Sequence, residues 1–272
     1  MRKLVFIDID GTILDHQHQV PQSARTALAQ VKQAGHRLFF CTGRNNPEVF
    51  PSLWELGFEG IVGANGTYAD LDGTRLFDYR IDRPELESAT AWFDQRHLPW
   101  IWQTPDHLYS APTFWDAFTN MGQTPQPSRV EFVEQVLPRV REGIPEAASK
   151  AVVIIPAGSS TSFTEFQHEF GGRFDIEPGS MDDTFGQSVE MVQPGMSKGN
   201  GLRQVAAHLG FSLADTVGIG DSHNDLEMMT VAGLSIAMGN AVPEVAERAD
   251  WISQSVDEDG LAIALRHAQL IG

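Results

Sequence analysis

Two aspartates stand directly behind a short apolar run near the start of the chain. The run LVFI at residues 4–7 reads as a buried strand, and the segment DIDGT at residues 8–12 follows it without a break. A carboxylate at the mouth of a sheet is costly unless a cation or hydrogen bonds compensate it, and two neighbouring carboxylates favour a hard metal such as Mg²⁺. Asp8 and Asp10 share one face if the strand continues that far. The pair predicts one carboxylate that binds metal and attacks, and a second that moves protons, unless the segment is only an Asx turn.

Two further groups of residues have the chemistry of a phosphate site. Thr42, Gly43 and Arg44 follow the apolar run at residues 38–41. A hydroxyl beside free backbone amides suits a phosphate oxygen. Lys198 opens a predicted helix, where the helix dipole is already positive, so its position is explained if an anion lies there. The alternatives are a Thr-Gly loop that closes a strand and a solvated lysine.

A fourth group of polar residues follows another predicted strand late in the chain. The segment GIGDSHND at residues 218–225 places Asp221 at the strand end, in the same position as Asp8 in its own segment. Asp225 falls on the first turn of a helix, where the helix dipole alone would favour a carboxylate. The density of polar groups at the mouth of a buried strand favours a functional site instead. We expect His223 to be exposed in a turn.

The alternation of strand-like and helix-like segments at both ends of the chain, including a helix at residues 47–56, predicts an α/β fold. Its centre is a doubly wound parallel sheet with helices on both faces. The middle of the chain differs, because it mixes helices and strands and holds four of the six tryptophans. We predict an inserted α+β domain at residues 83–186, with a junction at residues 179–186, inside a core formed by residues 1–82 and 187–272. The polar groups fall at the carboxyl ends of predicted parallel strands, where ligands bind in such sheets.

The charge of the chain limits its partners. Asp and Glu outnumber Lys and Arg by 36 to 19, which gives a formal net charge of −17, and the sequence has no basic cluster. A nucleic-acid partner is therefore not expected, and anionic membranes would be repelled.

Lys150 is expected to be a surface residue at the edge of a strand. The single cysteine, Cys41, cannot form an intramolecular disulfide. Because no apolar run approaches the ~20 residues of a membrane span, we expect no membrane partner and a cytoplasmic location.

Together the four groups resemble, in order, the four motifs of the haloacid dehalogenase-like (HAD) phosphohydrolases. Asn65-Gly66 and the segment IAMGNAVPEV at residues 236–245 are similar to the Cof-type subfamily. That subfamily has a Rossmann-like core and carries a large α/β cap where this chain has its insert. The resemblance implies Mg²⁺ as cofactor, held by Asp8, the main-chain carbonyl of Asp10, and Asp221. It also implies that the phosphate is bound by Thr42, Gly43, Lys198 and Asn224, and that Asp225 orients Lys198 or the metal waters.

The residues and the resemblance together predict a Mg²⁺-dependent phosphatase. Asp8 attacks phosphorus and forms an aspartyl-phosphate, and Asp10 protonates the leaving oxygen and then deprotonates the hydrolytic water. A phosphomutase of the same superfamily would keep these residues and return the phosphoryl group to the substrate. A non-enzymatic phosphoacceptor, like a receiver domain, also uses Asp, Mg²⁺, Thr and Lys, but it needs neither Asp10 nor a cap.

Substrate selectivity is predicted to reside in the insert, the segment large enough to cover the site and exclude water. Candidate substrate contacts are Arg44 and Asn65 of the core and Trp100, Trp102, His107, Tyr109 and Trp115 of the insert. Aromatic faces stack on sugar or heterocyclic rings; alternatively, Trp100 and Trp102, which share one strand face, are core residues. The resemblance implies a small phosphorylated metabolite as the partner, with sugar phosphates first and pyridoxal- or flavin-type phosphates second. The sequence does not indicate an oligomeric state.

Overall fold

A computed structural model describes residues 2–120, 127–183 and 186–272 of the chain. The strands are β1 (Leu4–Ile7), β2 (Arg37–Cys41), β3 (Gly60–Gly63), β4 (Tyr68–Leu71), β5 (Thr74–Asp78), β6 (Ile81–Asp82), β7 (Trp100–Gln103), β8 (Leu108–Ser110), β9 (Val140–Arg141), β10 (Ala147–Ala148), β11 (Lys150–Pro156), β12 (Asp175–Asp183), β13 (Gly186–Val192), β14 (Thr216–Gly220), β15 (Leu234–Ala237) and β16 (Trp251–Ile252).

The α-helices are α1 (Gln22–Gln33), α2 (Pro51–Trp54), α3 (Arg83–Gln95), α4 (Phe114–Asn120), α5 (Pro127–Val136), α6 (Phe163–Phe170), α7 (Lys198–His208), α8 (Leu226–Val231), α9 (Pro243–Arg248) and α10 (Gly260–His267). Short 3₁₀ turns occur at Asn46–Glu48, Ala64–Gly66, Leu137–Arg139, Leu213–Asp215, His223–Asp225 and Val256–Glu258. Among the described residues, no helix combines the length and the apolar character that a bilayer crossing requires.

The chain divides into two compact units. The first unit consists of Met1–Arg44, Val49–Asp78 and Met196–Gly272, and the second of Asn45–Glu48 and Tyr79–Gly195. The insert predicted at residues 83–186 lies inside the second unit, which extends beyond it in both directions and also takes in the short loop after Arg44.

The first unit is built on an eight-stranded sheet with the order β16-β15-β14-β1-β2-β3-β4-β5. Neighbours from β16 to β3 pair in parallel, whereas β4 and β5 add an antiparallel hairpin at one edge. The chain winds outward from β1 towards β3 and from β14 towards β16, so the strand order reverses between β1 and β14. This arrangement confirms the predicted doubly wound α/β sheet. In such sheets ligands bind at the carboxyl ends of the strands where the order reverses, which here is after β1 and β14.

Both faces of this sheet are covered, which explains why its central strands are continuous apolar runs. Val5 and Ile7 of β1 pack in a core shared with residues of α1 and α10. Leu4 and Phe6 point to the opposite face and pack with residues of α7 and α8. Alternate side chains of β1 therefore pack in two hydrophobic cores, one on each face of the sheet, and every residue of the strand is buried.

The second unit has a six-stranded sheet with the order β12-β13-β11-β7-β8-β9. One face of this sheet packs against α3 and α6 in a hydrophobic core. That core includes Trp100, Trp102, Ala151, Val153, Val189 and Met191 from the strands, and Phe93, Phe166 and Phe170 from the helices. The aromatic side chains of the helices and strands contact one another edge to face and in stacked pairs, such as Phe93 and Phe166 with ring centroids 5.7 Å apart.

The opposite face of this sheet carries polar groups, although it is also largely buried. Lys150 pairs across the strands with Gln103, and Nζ of Lys150 lies 2.8 Å from Oε2 of Glu190. The expectation that Lys150 is a surface residue is therefore wrong, because its side chain is 4% exposed. Its charge is tolerated in the interior because Glu190 of the neighbouring strand β13 compensates it.

The loop Asn45–Glu48 is held within the second unit by side-chain hydrogen bonds. The side-chain amide of Gln103 accepts a bond from Asn45 Nδ2 and donates one to Glu48 Oε1, each at 2.9 Å. Arg139 donates to the main-chain oxygens of Asn46 and Pro47. Both polar atoms of the Gln103 side chain are thus used inside the protein.

The longer segment of the second unit, Tyr79–Gly195, begins and ends at neighbouring positions. The side chain of Gln193 donates a hydrogen bond to the main-chain oxygen of Arg80. Next to this contact, β6 and β10 form a two-stranded antiparallel ladder, in which Asp82 pairs with Ala147. The chain therefore enters and leaves this unit through neighbouring positions.

Two local predictions differ from the structure, and one hairpin was not predicted. The helix predicted at residues 47–56 is broken into a 3₁₀ turn and α2, because Pro51 disfavours helical backbone at the residue before it. The hairpin β4–β5 was not predicted. Of the junction predicted at residues 179–186, residues 184–185 lie outside the part that the structure describes. The rest falls instead in the strands β12 and β13, whose register shifts between Pro178 and Asp182.

We expect Gly66→Ala to destabilise the protein more than Gly73→Ala. Both glycines have positive φ angles, +88° and +77°, which a side chain makes strained. A Cβ at Gly66 would also clash with the backbone oxygen of Ser197, whereas a Cβ at Gly73 would meet nothing within 4 Å. We expect a loss of about 1 kcal/mol for Gly73→Ala and clearly more for Gly66→Ala, measured by urea unfolding. Equal losses would show that the close approach of Ser197 has no energetic consequence.

Candidate active site

Lys198 is the buried centre of a cluster of charges in the first unit. Its Nζ lies 2.6 Å from Oδ1 of Asp8 and 2.7 Å from Oδ1 of Asp225. The side chains of Lys198 and Asp225 are 0% exposed and that of Asp8 is 6% exposed. Asp8 follows β1, Lys198 begins α7, and Asp225 ends a 3₁₀ turn after β14. Three segments that are distant in sequence therefore meet at one ammonium group.

Asp225 uses both of its carboxylate oxygens inside the protein. Oδ1 accepts the bond from Lys198, and Oδ2 accepts bonds from the backbone amides of Asp221 and Ser222, each at 3.0 Å. The carboxylate packs so tightly against Gly220 that a Cβ there would clash with it. Asp225 thus fixes both the position of Lys198 and the backbone that presents Asp221.

Lys198 and Asp8 differ in how burial affects their charge. Burial acts to lower the pKa of Lys198, but the charges of Asp225 and Asp8 outweigh it, so the pKa lies above its ordinary value and the ammonium stays charged. Burial raises the pKa of Asp8 well above its usual range; Lys198 opposes this shift, and the neighbouring carboxylates of Asp225 and Asp221 add to it. The Asp8 carboxylate is therefore held at a site crowded with negative charge.

Asp221 is oriented by side chains from three segments. Its Oδ1 accepts a 3.0 Å bond from Thr12 Oγ1, and its Oδ2 accepts longer bonds from Ser222 Oγ and Asn240 Nδ2, at 3.3 and 3.4 Å. Burial, and then the charge of Asp225, raise the pKa of Asp221 to about 6. The bonds from Thr12 and Ser222 and the charge of Lys198 work in the opposite direction.

The donor set of this cluster fits a divalent metal. Asp8, Asp221 and Asp225 each offer a carboxylate oxygen, and these oxygens lie within 4.8 Å of one another. When ionised, the three carboxylates carry three negative charges against the single positive charge of Lys198, so a divalent cation would balance them. Hard oxygen donors of this kind suit Mg²⁺. Because the oxygens of Asp225 already bind Lys198 and two amides, Asp8 and Asp221 are the side chains best placed to hold the ion.

Asp10 is bound by Arg44 in a bidentate ion pair. Nε of Arg44 lies 2.8 Å from Oδ2 of Asp10, and the second guanidinium contact is 2.6 Å to Oδ1. The Asp10 side chain is 51% exposed. Partial desolvation acts to raise the pKa of Asp10, but the charge and the hydrogen bonds of Arg44 outweigh it and lower the pKa. In this arrangement Asp10 is ionised, which is the form of a general base.

Four residues with predicted phosphate or substrate contacts lie close together around Gly43. Thr42 is buried, and its Oγ1 accepts a 3.1 Å bond from the amide of Arg44, so its hydroxyl proton can be donated elsewhere. Asn65 has a left-handed backbone (φ 55°), and its Oδ1 accepts a 3.1 Å bond from Nδ2 of Asn224. A Cβ at Gly43 would come within 3.1 Å of that Asn65 oxygen and 3.4 Å of that Asn224 nitrogen. The structure thus brings Thr42, Gly43, Asn65 and Asn224 together.

The substrate contacts predicted for two tryptophans are not supported by their placement. Trp102 is fully buried and its Nε1 donates to Thr90, and Trp100 is 6% exposed and donates to Asp94. Both indoles belong to the core of the second unit, so the alternative interpretation, that they are packing residues, is the correct one. Tyr109 is half-buried, packs against the same core and pairs with Trp102 across the strands. His107 and Trp115 are half-buried.

Two residues that contact the carboxylate of Asp221 were not predicted from the sequence. Thr12 has no catalytic or binding role predicted from the sequence, although its hydroxyl donates a hydrogen bond to Asp221. Asn240 was noted only as part of a segment that resembles a subfamily. The sequence contains a pattern that indicates a role for Asn240, because this residue follows β15. That strand ends at the same sheet edge as β1 and β14, where ligands bind in such sheets. His223 is exposed, as expected from the sequence.

We expect the metal-free protein to lose stability as the pH rises through the range in which Asp221 ionises. An unfolded aspartate has a pKa of about 3.9, so a folded-state pKa of about 6 means that the folded protein holds this proton more tightly. The stabilising contribution of protonated Asp221 is complete below about pH 4 and is lost as the pH rises through about 6.

The comparison with Asp221→Asn, which has no titrating carboxyl at this position, removes this contribution together with the effect of the Asp221 charge on Asp8. Both proteins are unfolded with urea in chelator at about pH 4.5 and about pH 7.5. We expect the free energy of unfolding of the wild type, relative to the variant, to be lower at the higher pH. A difference that stays constant or moves the other way would contradict the raised pKa of Asp221.

Comparison with known proteins identifies the family to which the chain belongs. Residues 5–265 match the model of one family, the haloacid dehalogenase-like hydrolases. The HMP-PP phosphatase of Yersinia enterocolitica is 26% identical over 273 residues (98% of this chain and 95% of that protein). The pyridoxal phosphate phosphatase YbhA of Escherichia coli K12 is 26% identical over 274 residues, 96% of each chain. A solved structure of a hypothetical protein from Geobacillus kaustophilus HTA426 superimposes over 100% of both chains with a TM-score of 0.81 and 25% identity. With a doubly wound sheet, four clustered motifs and a family match along almost its whole length, the chain belongs to the haloacid dehalogenase-like hydrolases.

Proposed function

We propose that this hydrolase is a Mg²⁺-dependent phosphatase that hydrolyses small phosphorylated metabolites through an aspartyl-phosphate on Asp8. The observation that carries the proposal is the buried ammonium of Lys198 beside Asp8, at the sheet edge where the strand order reverses. A nucleophilic carboxylate and a fixed cation at one point are what phosphoryl transfer requires, because its catalysis consists mainly of positioning and charge stabilisation.

The nucleophile is one particular oxygen of Asp8. Lys198 binds Oδ1, and no described residue donates a hydrogen bond to Oδ2. We therefore assign Oδ2 to the attack on phosphorus, while the pair with Lys198 fixes the plane of the carboxylate. Asp8 and Asp221 would hold Mg²⁺, together with the main-chain carbonyl of Asp10. When bound, the ion neutralises charge on the carboxylates and on the phosphoryl oxygens.

Lys198 and Thr42 are assigned to the phosphoryl oxygens. Lys198 keeps its charge because Asp225 and Asp8 outweigh the effect of burial, so it can stabilise the negative charge that develops during transfer. The hydroxyl proton of Thr42 is free to point at a phosphoryl oxygen, since its oxygen accepts the bond from Arg44. Gly43 leaves room beside Thr42, and Asn224 adds an amide at the same place.

Asp10 is assigned to proton transfer, with Arg44 controlling its charge. The ionised Asp10 suits the second half-reaction, in which it takes a proton from the attacking water. In the first half-reaction Asp10 must carry a proton, which requires that the bidentate bond from Arg44 be loosened. Arg44 is therefore a positioning residue for Asp10 in this proposal, in addition to being a candidate contact of the substrate.

The substrate is proposed to be a small soluble phosphomonoester that is selected by the second unit. Two relatives have names that state their substrates, and one of these is pyridoxal phosphate. This supports pyridoxal-type phosphates beside the sugar phosphates that were expected first. Of the aromatic residues proposed for selectivity, His107, Tyr109 and Trp115 remain, since Trp100 and Trp102 lie in the core.

A screen of phosphorylated metabolites with Mg²⁺ tests this function directly. Released inorganic phosphate is measured for sugar phosphates, pyridoxal phosphate and flavin mononucleotide, with and without chelator. Asp8→Asn keeps the shape of the side chain and removes the attacking charge, so we expect its turnover to fall by at least about a thousandfold. Phosphate release at near wild-type rate by the variant, or full activity in chelator, would contradict the mechanism.

Asp10→Asn should distinguish between substrates according to their leaving groups. An aryl phosphate such as p-nitrophenyl phosphate needs little acid assistance, whereas a sugar phosphate needs more. We expect the first half-reaction, measured as a single turnover, to lose at least about tenfold more with the sugar phosphate than with the aryl phosphate. Asp8→Asn serves as the control, because it should lose both activities alike. Equal losses with Asp10→Asn would show that Asp10 is not the acid.

A further inference from the structure

We propose that Asn240 is a positioning residue for the metal-binding carboxylate of Asp221, and that it sets the affinity of the site for the divalent cation. The inference rests on the proposed function, since it concerns the metal that this function requires. Asn240 lies outside the four motifs, in the loop that follows β15.

The amide of Asn240 joins three segments of the first unit. Its Nδ2 donates a 2.9 Å hydrogen bond to the main-chain oxygen of Gly11, and its Oδ1 accepts a 2.9 Å bond from the amide of Val256. These two bonds fix the plane of the amide from both sides. The same Nδ2 then lies 3.4 Å from Oδ2 of Asp221.

The position of Asn240 matters because Oδ2 of Asp221 has no short hydrogen bond from the described residues. Thr12 holds Oδ1, while among the described residues Oδ2 has only the long contacts to Ser222 and Asn240. Gly11, to which Asn240 is bonded, packs against the same carboxylate so closely that a Cβ there would clash with it. Asn240 therefore clamps the loop after β1 and the carboxylate after β14 in one arrangement.

A clamp of this kind acts on metal affinity rather than on the chemical step. Mg²⁺ demands nearly octahedral geometry, so a carboxylate that is free to rotate binds it less well. Residues that orient the ligands of a metal typically contribute about 10- to 100-fold to its affinity. Asn240 touches neither Asp8 nor Lys198, so attack on phosphorus at saturating metal should be nearly preserved.

The experiment measures binding of Mn²⁺ alone to the full chain, by electron paramagnetic resonance of free Mn²⁺. The relevant site is defined as the one lost in Asp221→Asn. We expect Asn240→Ala to raise the Kd of this site by about tenfold, and to raise the Mg²⁺ concentration needed for half-maximal activity by a similar factor while kcat at saturating Mg²⁺ changes little. If Asn240→Ala does not fold, Asn240→Ser, which keeps a polar group too short to reach Asp221, must show the same rise.

Ser253→Ala is the matched control. The hydroxyl of Ser253 donates a buried 2.7 Å bond to the main-chain oxygen of Gly260, in the same C-terminal segment but without contact to Asp221. Its loss should lower stability and leave the Mn²⁺ Kd unchanged. An unchanged Kd in Asn240→Ala, or an equal rise in Ser253→Ala, overturns the inference. Wild-type protein without a Mn²⁺ site that depends on Asp221 overturns the proposed function, and this inference with it.

Discussion

The buried ammonium of Lys198, held between Asp8 and Asp225, is the interaction on which the rest of the site depends. Bringing three charges out of water is unfavourable unless each is compensated, and removing one partner of such a group costs about 3–5 kcal/mol. The need to compensate these charges also explains the residues near Asp225. Asp225 must also satisfy two backbone amides, and the residue beside its carboxylate, Gly220, has no room for a side chain. The need to compensate the charge of Lys198 with Asp225 thus also requires a glycine at position 220.

Asp8 and Asp10 are two residues apart in sequence, yet their environments shift their pKa values in opposite directions. Burial and neighbouring carboxylates act on Asp8, whereas the guanidinium of Arg44 dominates at the half-exposed Asp10. Such a divergence is how one site obtains groups with different duties in acid–base chemistry. Both aspartates follow the end of β1 at Ile7, and the difference comes from their partners, Arg44 after β2 and Lys198 at the start of α7.

The sequence was most informative where a buried strand ends in polar groups. The strands β1, β2 and β14 were predicted correctly, and the polar groups that follow them contact one another. Carboxylates or hydroxyls at the end of an apolar run must be compensated at the sheet edge. The prediction failed where a long-range partner decides the outcome. Lys150 looks like a surface residue until Glu190 is placed beside it by strand pairing. Alternation put Trp100 and Trp102 on one face, but no local pattern shows which face of a sheet is covered by helices. The hairpin β4–β5 was missed because its residues are mostly half-buried and it lacks a continuous apolar run.

The contact between Gln193 and Arg80 has a consequence for how the chain can fold. The neighbouring strands β1 and β14 are separated by more than two hundred residues, which would make their pairing entropically expensive if all of that chain were flexible. Because the ends of the long segment of the second unit meet, that unit can close on itself and behave as a short loop. The cost of loop closure grows only with the logarithm of the effective length. A self-contained insertion of this kind can lengthen without slowing the assembly of the sheet that carries the active site.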